Sequence, residues 1–274
     1  MRPLFQRVRP VFRIGREEEW FGGYGEDDRV TAELLELLGP EHLLCSTARV
    51  ATSRGIWVCP ILVNESGGRM GDTLEESFRP FPLSYGDCAC GYTDPRDNHF
   101  AALSYAYTFR KTSERNKDYL ATLPEEIRLR GPKGERILLC HGSPRRQNEF
   151  LWESLSPDPF LARLLDDARC DVLAVTHTGI PWKRRLPDGR FVVNVGAIGR
   201  PANDGQTHVW YAVLDLSGEA PDAAFIPLRY DHERLADEMR AERIVEPFVK
   251  TVETGWWTTC LEILPAKERA RGMY

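Results

Sequence analysis

Two apolar runs in this chain each end on a histidine. Leu138-Leu139-Cys140-His141-Gly142-Ser143-Pro144-Arg145 delivers one imidazole to a tight turn, and Val172-Leu173-Ala174-Val175-Thr176-His177-Thr178-Gly179-Ile180-Pro181 delivers a second. A third run, Val192-Val193-Asn194-Val195-Gly196-Ala197-Ile198-Gly199-Arg200-Pro201, carries two glycines that let backbone approach a bound group closely. Imidazoles at adjacent strand ends can share one first-row metal ion, with loop contacts fixing each ring. Two histidines satisfied inside ordinary turns are the alternative reading.

These residues need strands to carry them, and the periodicity supplies them. Arg136 to Cys140, Asp171 to Val175 and Phe191 to Val195 predict buried strands, and Val209 to Leu216 and Ala224 to Leu228 predict two more. Helices are predicted over Phe100 to Phe109, Asn116 to Leu123, Asn148 to Leu155, Pro159 to Asp167, Asp231 to Arg240 and Glu246 to Val252. Strands and helices alternate, which places chemistry on the strand-end loops of an α/β sheet. The first 85 residues read differently: a short amphipathic helix at Thr31 to Leu38, a buried strand at Ile56 to Val63, a glycine-rich loop at Asn64 to Gly71, and an irregular stretch. One domain over 1–274 with an atypical part at 1–85 is expected, any linker falling between Asn64 and Pro82.

Composition narrows the function classes. The chain has 274 residues with 42% hydrophobic and 28% charged side chains, which fits a globular protein and excludes collagen, coiled-coil and disordered classes. Lys and Arg number 36 against 41 Asp and Glu, a net charge of -5, so no global basic field holds a polyanion and nucleic acid is not expected as an obligate partner. The longest apolar stretch, Ile56 to Val63, is far short of the roughly 20 residues that cross a bilayer, and no membrane partner is expected. Seven cysteines, an odd number scattered through the chain, fit buried thiols in a reducing, cytoplasmic setting. Cys88-Ala-Cys90 lacks the second pair a structural zinc site needs. The arginine-rich opening is broken by Pro3 and Pro10 and reads as no secretory signal. Gly255-Trp256-Trp257 reads either as an interaction surface or, more simply, as buried packing.

His-Gly-Ser-Pro, Thr-His-Thr-Gly-Ile-Pro and Asn-Val-Gly-Ala-Ile-Gly-Arg-Pro, in this order, resemble the fourth and fifth metal-binding motifs and the following turn of the calcineurin-like metallophosphoesterases. The resemblance runs from Asp87 to the carboxyl end and is most specific from Cys140 to Gly205. It implies a four-layered α/β/β/α sandwich of two mixed sheets, and one or two divalent ions (Mn, Fe or Zn) that hydrolyse a small phosphorylated substrate, a phosphomonoester or phosphodiester. In such sites two ions about 3.5–4 Å apart acidify a water and neutralise phosphoryl charge. The resemblance gives His141 and His177 to the second metal, Asn194 a supporting place, and Arg145 and Arg200 to the phosphate. Gly179 stands where the family has a histidine for the first metal. The family's opening Asp-x-His occurs only at Asp97-Asn98-His99, after a turn, and its Gly-Asp only at Gly71-Asp72 and Gly86-Asp87. Asp72 is the candidate bridging ligand, with a helix-first-turn acid as its other reading. A metal-dependent phosphoesterase follows as the expected function. The alternative is a catalytically degenerate relative that binds a phosphorylated ligand or a protein partner.

Overall fold

A computed structural model describes residues 42–52, 55–63, 92–111, 126–197, 199–216 and 218–271. Its strands are β1 (His42–Thr52), β2 (Gly55–Val63), β3 (Glu126–Arg130), β4 (Arg136–Cys140), β5 (Val172–Val175), β6 (Trp182–Arg185), β7 (Phe191–Asn194), β8 (Val209–Asp215) and β9 (Asp222–Leu228). Its helices are α1 (Pro95–Lys111), α2 (Asp158–Ala168), α3 (His232–Ala241), α4 (Glu246–Thr254) and α5 (Ala266–Arg269). The expected helix at Thr31 to Leu38, the helix at Asn116 to Leu123, the loop at Asn64 to Gly71, Cys88, Cys90 and Asp72 lie outside the described residues.

The strands form a mixed α/β architecture with two sheets. One has the order β3-β4-β5-β7-β6 and the other β2-β1-β8-β9. The pairs β4/β5 and β5/β7 are parallel, while β3 and β6 flank them antiparallel. The three parallel strands are apolar because both their faces are covered. Ile137, Leu139, Val172, Ala174, Phe191 and Val193 face one core, which they share with Ala212, Leu214 and Ala223 of the second sheet. Leu138, Cys140, Leu173, Val175 and Val192 face the opposite way, onto Leu161, Leu164, Leu165 and Ala168 of α2. Those four positions repeat at helical spacing and make the apolar stripe that seats α2. Arg128 closes the far end of α2 by donating to the Ala168 carbonyl at 2.7 Å.

The structure departs from the expected elements in two informative places. Residues 148–155 form turns and irregular backbone, not a helix. Leu151 and Trp152 are consecutive yet enter different cores, and Leu155 is 64% exposed, so the three share no helical face. Carbonyls of this segment are engaged by β6: Trp182 Nε1 donates to Leu151 O at 2.9 Å and Arg184 Nη2 to Glu153 O at 2.7 Å. Strand β6 itself is the second departure, since Trp-Lys-Arg-Arg has a single apolar residue. It pairs with β7 across Pro187-Asp188-Gly189, a turn in which Gly189 takes φ 88°.

Cys140, Cys170 and Cys260 are free, buried thiols, as expected of them. No helix among the described residues is long and apolar enough to cross a membrane.

Candidate metal centre

The strand order explains why the two histidines meet. Adjacent parallel strands end on the same side, so the loops after β4 and β5 leave the sheet together. His141 directly follows β4 and is buried, and its carbonyl accepts from both Thr176 N at 2.9 Å and His177 N at 3.1 Å. That pair of backbone bonds staples the second loop onto the first. The result brings His177 Nδ1 to 2.8 Å from His141 Nε2, with ring planes at 70°.

Each loop is held by its own sequence. Gly142 is required by close approach, because a Cβ there would meet Gln147 O at 2.3 Å. Ser143 N donates to Arg146 O at 2.9 Å, and the Ser143 hydroxyl accepts from Arg145 N at 3.0 Å, closing the turn that follows His141. Behind His177, Asn194 at the end of β7 ties the ends of β5 and β7 together. Its amide donates to Thr176 O at 2.7 Å and Thr178 Oγ1 at 2.8 Å, and its carbonyl oxygen accepts from Gly196 N at 3.1 Å. Thr176 Oγ1 in turn donates to Gly196 O at 2.7 Å. Gly196 needs its freedom: φ is 76°, and a Cβ would stand 3.2 Å from that of Trp210. These buried, fully exchanged hydrogen bonds make the platform under the imidazoles rigid.

The expected arginines are engaged locally. Arg145 forks onto Glu149 and lies 4.9 Å over the Phe160 ring. Burial works to raise the Glu149 carboxyl, but hydrogen bonds from Arg145 and Ser143 outweigh it and hold it below the usual range. Arg200 sits 3.7 Å over the Trp257 ring and donates to Thr259 O at 2.7 Å. Trp257 is buried, donates through Nε1 to Pro201 O at 2.6 Å, and lies against Gly179, so the loops after β5 and β7 are clasped to the carboxyl-terminal segment. The simpler reading of the paired tryptophans holds for Trp257.

Sequence reasoning missed Phe150. Its ring lies 4.2 Å from that of His177, stacks parallel to Trp152 at 5.5 Å, and meets Tyr92 at 5.5 Å. Three consecutive apolar residues, Phe150-Leu151-Trp152, cannot all lie on one helical face, and that was the available signal; the helix reading hid it.

At 2.8 Å the two ring nitrogens are within hydrogen-bond distance, one ring donating to the other. Two nitrogens about 2.1 Å from one ion are about 3 Å apart at right angles and about 3.4 Å apart in a tetrahedral site, so a shared ion requires the rings to separate slightly. Among the described residues no cluster of three or more His, Cys, Asp and Glu is placed to hold a metal. Asp97, of the Asp-x-His sequence, is in the first turn of α1, accepting from Ile263 N at 3.0 Å, and so packs that helix onto the carboxyl-terminal segment.

No family model matches this chain, and no curated protein matches it. Solved structures do. A hypothetical protein, PH1004, from Pyrococcus horikoshii OT3 is similar with a TM-score of 0.54 and 19% identity, over 68% of this chain and 72% of that one. A metallophosphoesterase from Sphaerobacter thermophilus matches at TM-score 0.45 and 22% identity, covering 62% of this chain and 74% of its own. A conserved uncharacterized protein of Streptococcus pneumoniae TIGR4, described as a predicted phosphoesterase, matches at TM-score 0.31 and 17% identity over 42% and 63%. A metallophosphoesterase and a protein described as a predicted phosphoesterase thus occur among the matched structures, each likeness covering part of this chain. With the Pyrococcus protein the likeness is one of fold.

Proposed function

We propose that this protein is a metal-dependent phosphoesterase in which His141 and His177 hold a divalent ion. The observation that carries the proposal is the 2.8 Å approach of the two ring nitrogens at the ends of adjacent parallel strands. When bound, such an ion supplies Lewis acidity toward a phosphoryl oxygen and toward water. The chain's own contribution is placement. The backbone bonds from Thr176 and His177 to His141 O fix the separation of the rings, and Asn194 fixes the loop behind them. Phe150 packs against His177, and Trp152 stacks on Phe150. In the reaction water adds to phosphorus, the bond from phosphorus to the leaving alcohol oxygen breaks, and one proton of the water ends on that alcohol.

The same reading makes the architecture a four-layered α/β/β/α sandwich. Helix α2 covers one face of the five-stranded sheet, and contacts of α1 with β2 and of α3 with β1 support a helical layer on the other sheet. Hydrolysis of p-nitrophenyl phosphate and bis(p-nitrophenyl) phosphate with added Mn tests the proposal. Turnover lost in both His141→Ala and His177→Ala is expected. Wild-type rates no higher than those of the folded variants would reject catalysis and favour a phosphate-binding relative without activity.

A further inference from the structure

A cavity of about 330 Å³ opens between α1 and the α3/α4 pair. It falls within the range of roughly 300–1,000 Å³ typical of small-molecule sites. Its walls are apolar and aromatic, with Phe100 of α1, Met239 of α3 and Phe248 of α4 prominent among them. Phe100 and Phe248 meet edge to face at 5.8 Å. Hydroxyls on the wall are turned to the backbone: Thr108 Oγ1 donates to Ser104 O at 2.8 Å and Thr251 Oγ1 to Pro247 O at 3.3 Å.

Neither histidine lines the cavity, but one end of it reaches the loop after β7. Gly199 and Arg200, on the loop that continues from Gly196, line it, and so does Tyr92, whose ring contacts the same Phe150 that packs on His177. Leu103, a lining residue that stays 36% exposed, marks an opening to solvent. We infer that this cavity receives the flat, apolar organic group of a phosphate ester whose phosphate lies at His141 and His177. The inference rests on the phosphoesterase reading for the second half of that statement, and on the cavity alone for the first.

Burying a two-ring group here removes enough apolar surface from water to tighten binding by more than about tenfold over phosphate alone. Calorimetric titration of the Mn-supplemented protein with 1-naphthyl phosphate and with inorganic phosphate reads this directly. The expected result is tighter binding of 1-naphthyl phosphate in the wild type, weakened about tenfold or more in Ser104→Trp, which fills the cavity, with inorganic phosphate unaffected. Leu103→Glu, at the exposed lip, spares the fold and is expected to weaken the same ligand severalfold. Equal affinity for the two ligands in the wild type, or 1-naphthyl phosphate binding untouched by both folded variants, would overturn the inference. Cavity-dependent binding without turnover of 1-naphthyl phosphate would support the cavity assignment and count against catalysis.

Discussion

Asn194 is the residue on which the candidate centre leans most heavily for stability, and its removal has a calculable cost. The residue is 1% exposed, and its amide makes the three bonds to Thr176 O, Thr178 Oγ1 and Gly196 N. Asn194→Ala withdraws all three in a place water does not reach. At about 1 kcal/mol for each bond, the loss is about 3 kcal/mol. In a chain of this size that corresponds to a fall in Tm of roughly 6–12 °C. Urea unfolding followed by circular dichroism, with the slope held common to both proteins, measures the loss. Asn194→Asp keeps the acceptor for Gly196 N but turns a second oxygen toward two acceptors, so it is expected to be at least as unstable at pH 7. By contrast His177→Ala, whose ring lies on top of this platform, is expected to cost less than Asn194→Ala. A loss below about 1 kcal/mol for Asn194→Ala would refute the idea that this amide ties the strand ends together.

Two further outcomes follow from the same contacts. Gly142→Ala places a methyl group against the carbonyls of Gln147 and Arg146, which are backbone and cannot swing away, so about 2 kcal/mol is expected in urea unfolding. Gly218→Ala, whose added carbon meets only Ala220 O at 3.6 Å, is the silent control. At the start of α1, burial first and then the Glu262 carboxylate beside it raise the Asp97 carboxyl from 3.8 to about 6, while Arg96 grips Glu262 through two bonds at 2.9 and 3.0 Å. The folded state keeps a proton the unfolded chain releases, so this contribution is complete below pH 3.8 and is lost as pH rises through 6. Its size is on the order of 2–3 kcal/mol. Asp97→Asn is therefore expected to gain on the wild type at pH 8 and to lose that gain at pH 4, read from urea midpoints. A difference independent of pH would contradict the assignment.

How much of this was legible in the sequence depended on burial. Strand β4 was read with its observed bounds, and β5 and β7 each to within one residue, because strands covered on both faces write continuous apolar runs. The amphipathic helices α2, α3 and α4 were read for the complementary reason, a stripe repeating at helical spacing. Strand β6 escaped because an antiparallel edge strand needs few apolar residues; the Pro-Asp-Gly turn after it was the available signal. Residues 148–155 misled because helical spacing of Leu151, Trp152 and Leu155 is only a necessary condition. What decided the matter was Trp182 and Arg184 claiming the carbonyls, a long-range contact no local pattern encodes. At the site, the sequence placed both histidines at strand ends, but their approach depends on β4 and β5 being neighbours. Arg145 and Arg200 looked free in sequence, yet Glu149 engages the first and Trp257 with Thr259 the second.

The central claim is that His141 and His177 bind one divalent ion together. Metal titration of the purified protein with Mn and Zn, read by calorimetry and by elemental analysis after dialysis, tests it on the wild type, His141→Ala and His177→Ala, each checked for native circular dichroism. The account predicts bound metal in the wild type and a loss of affinity of at least about tenfold in each variant, since either substitution removes one of two ligands that act on the same ion. Metal content and affinity unchanged in both folded variants would contradict it.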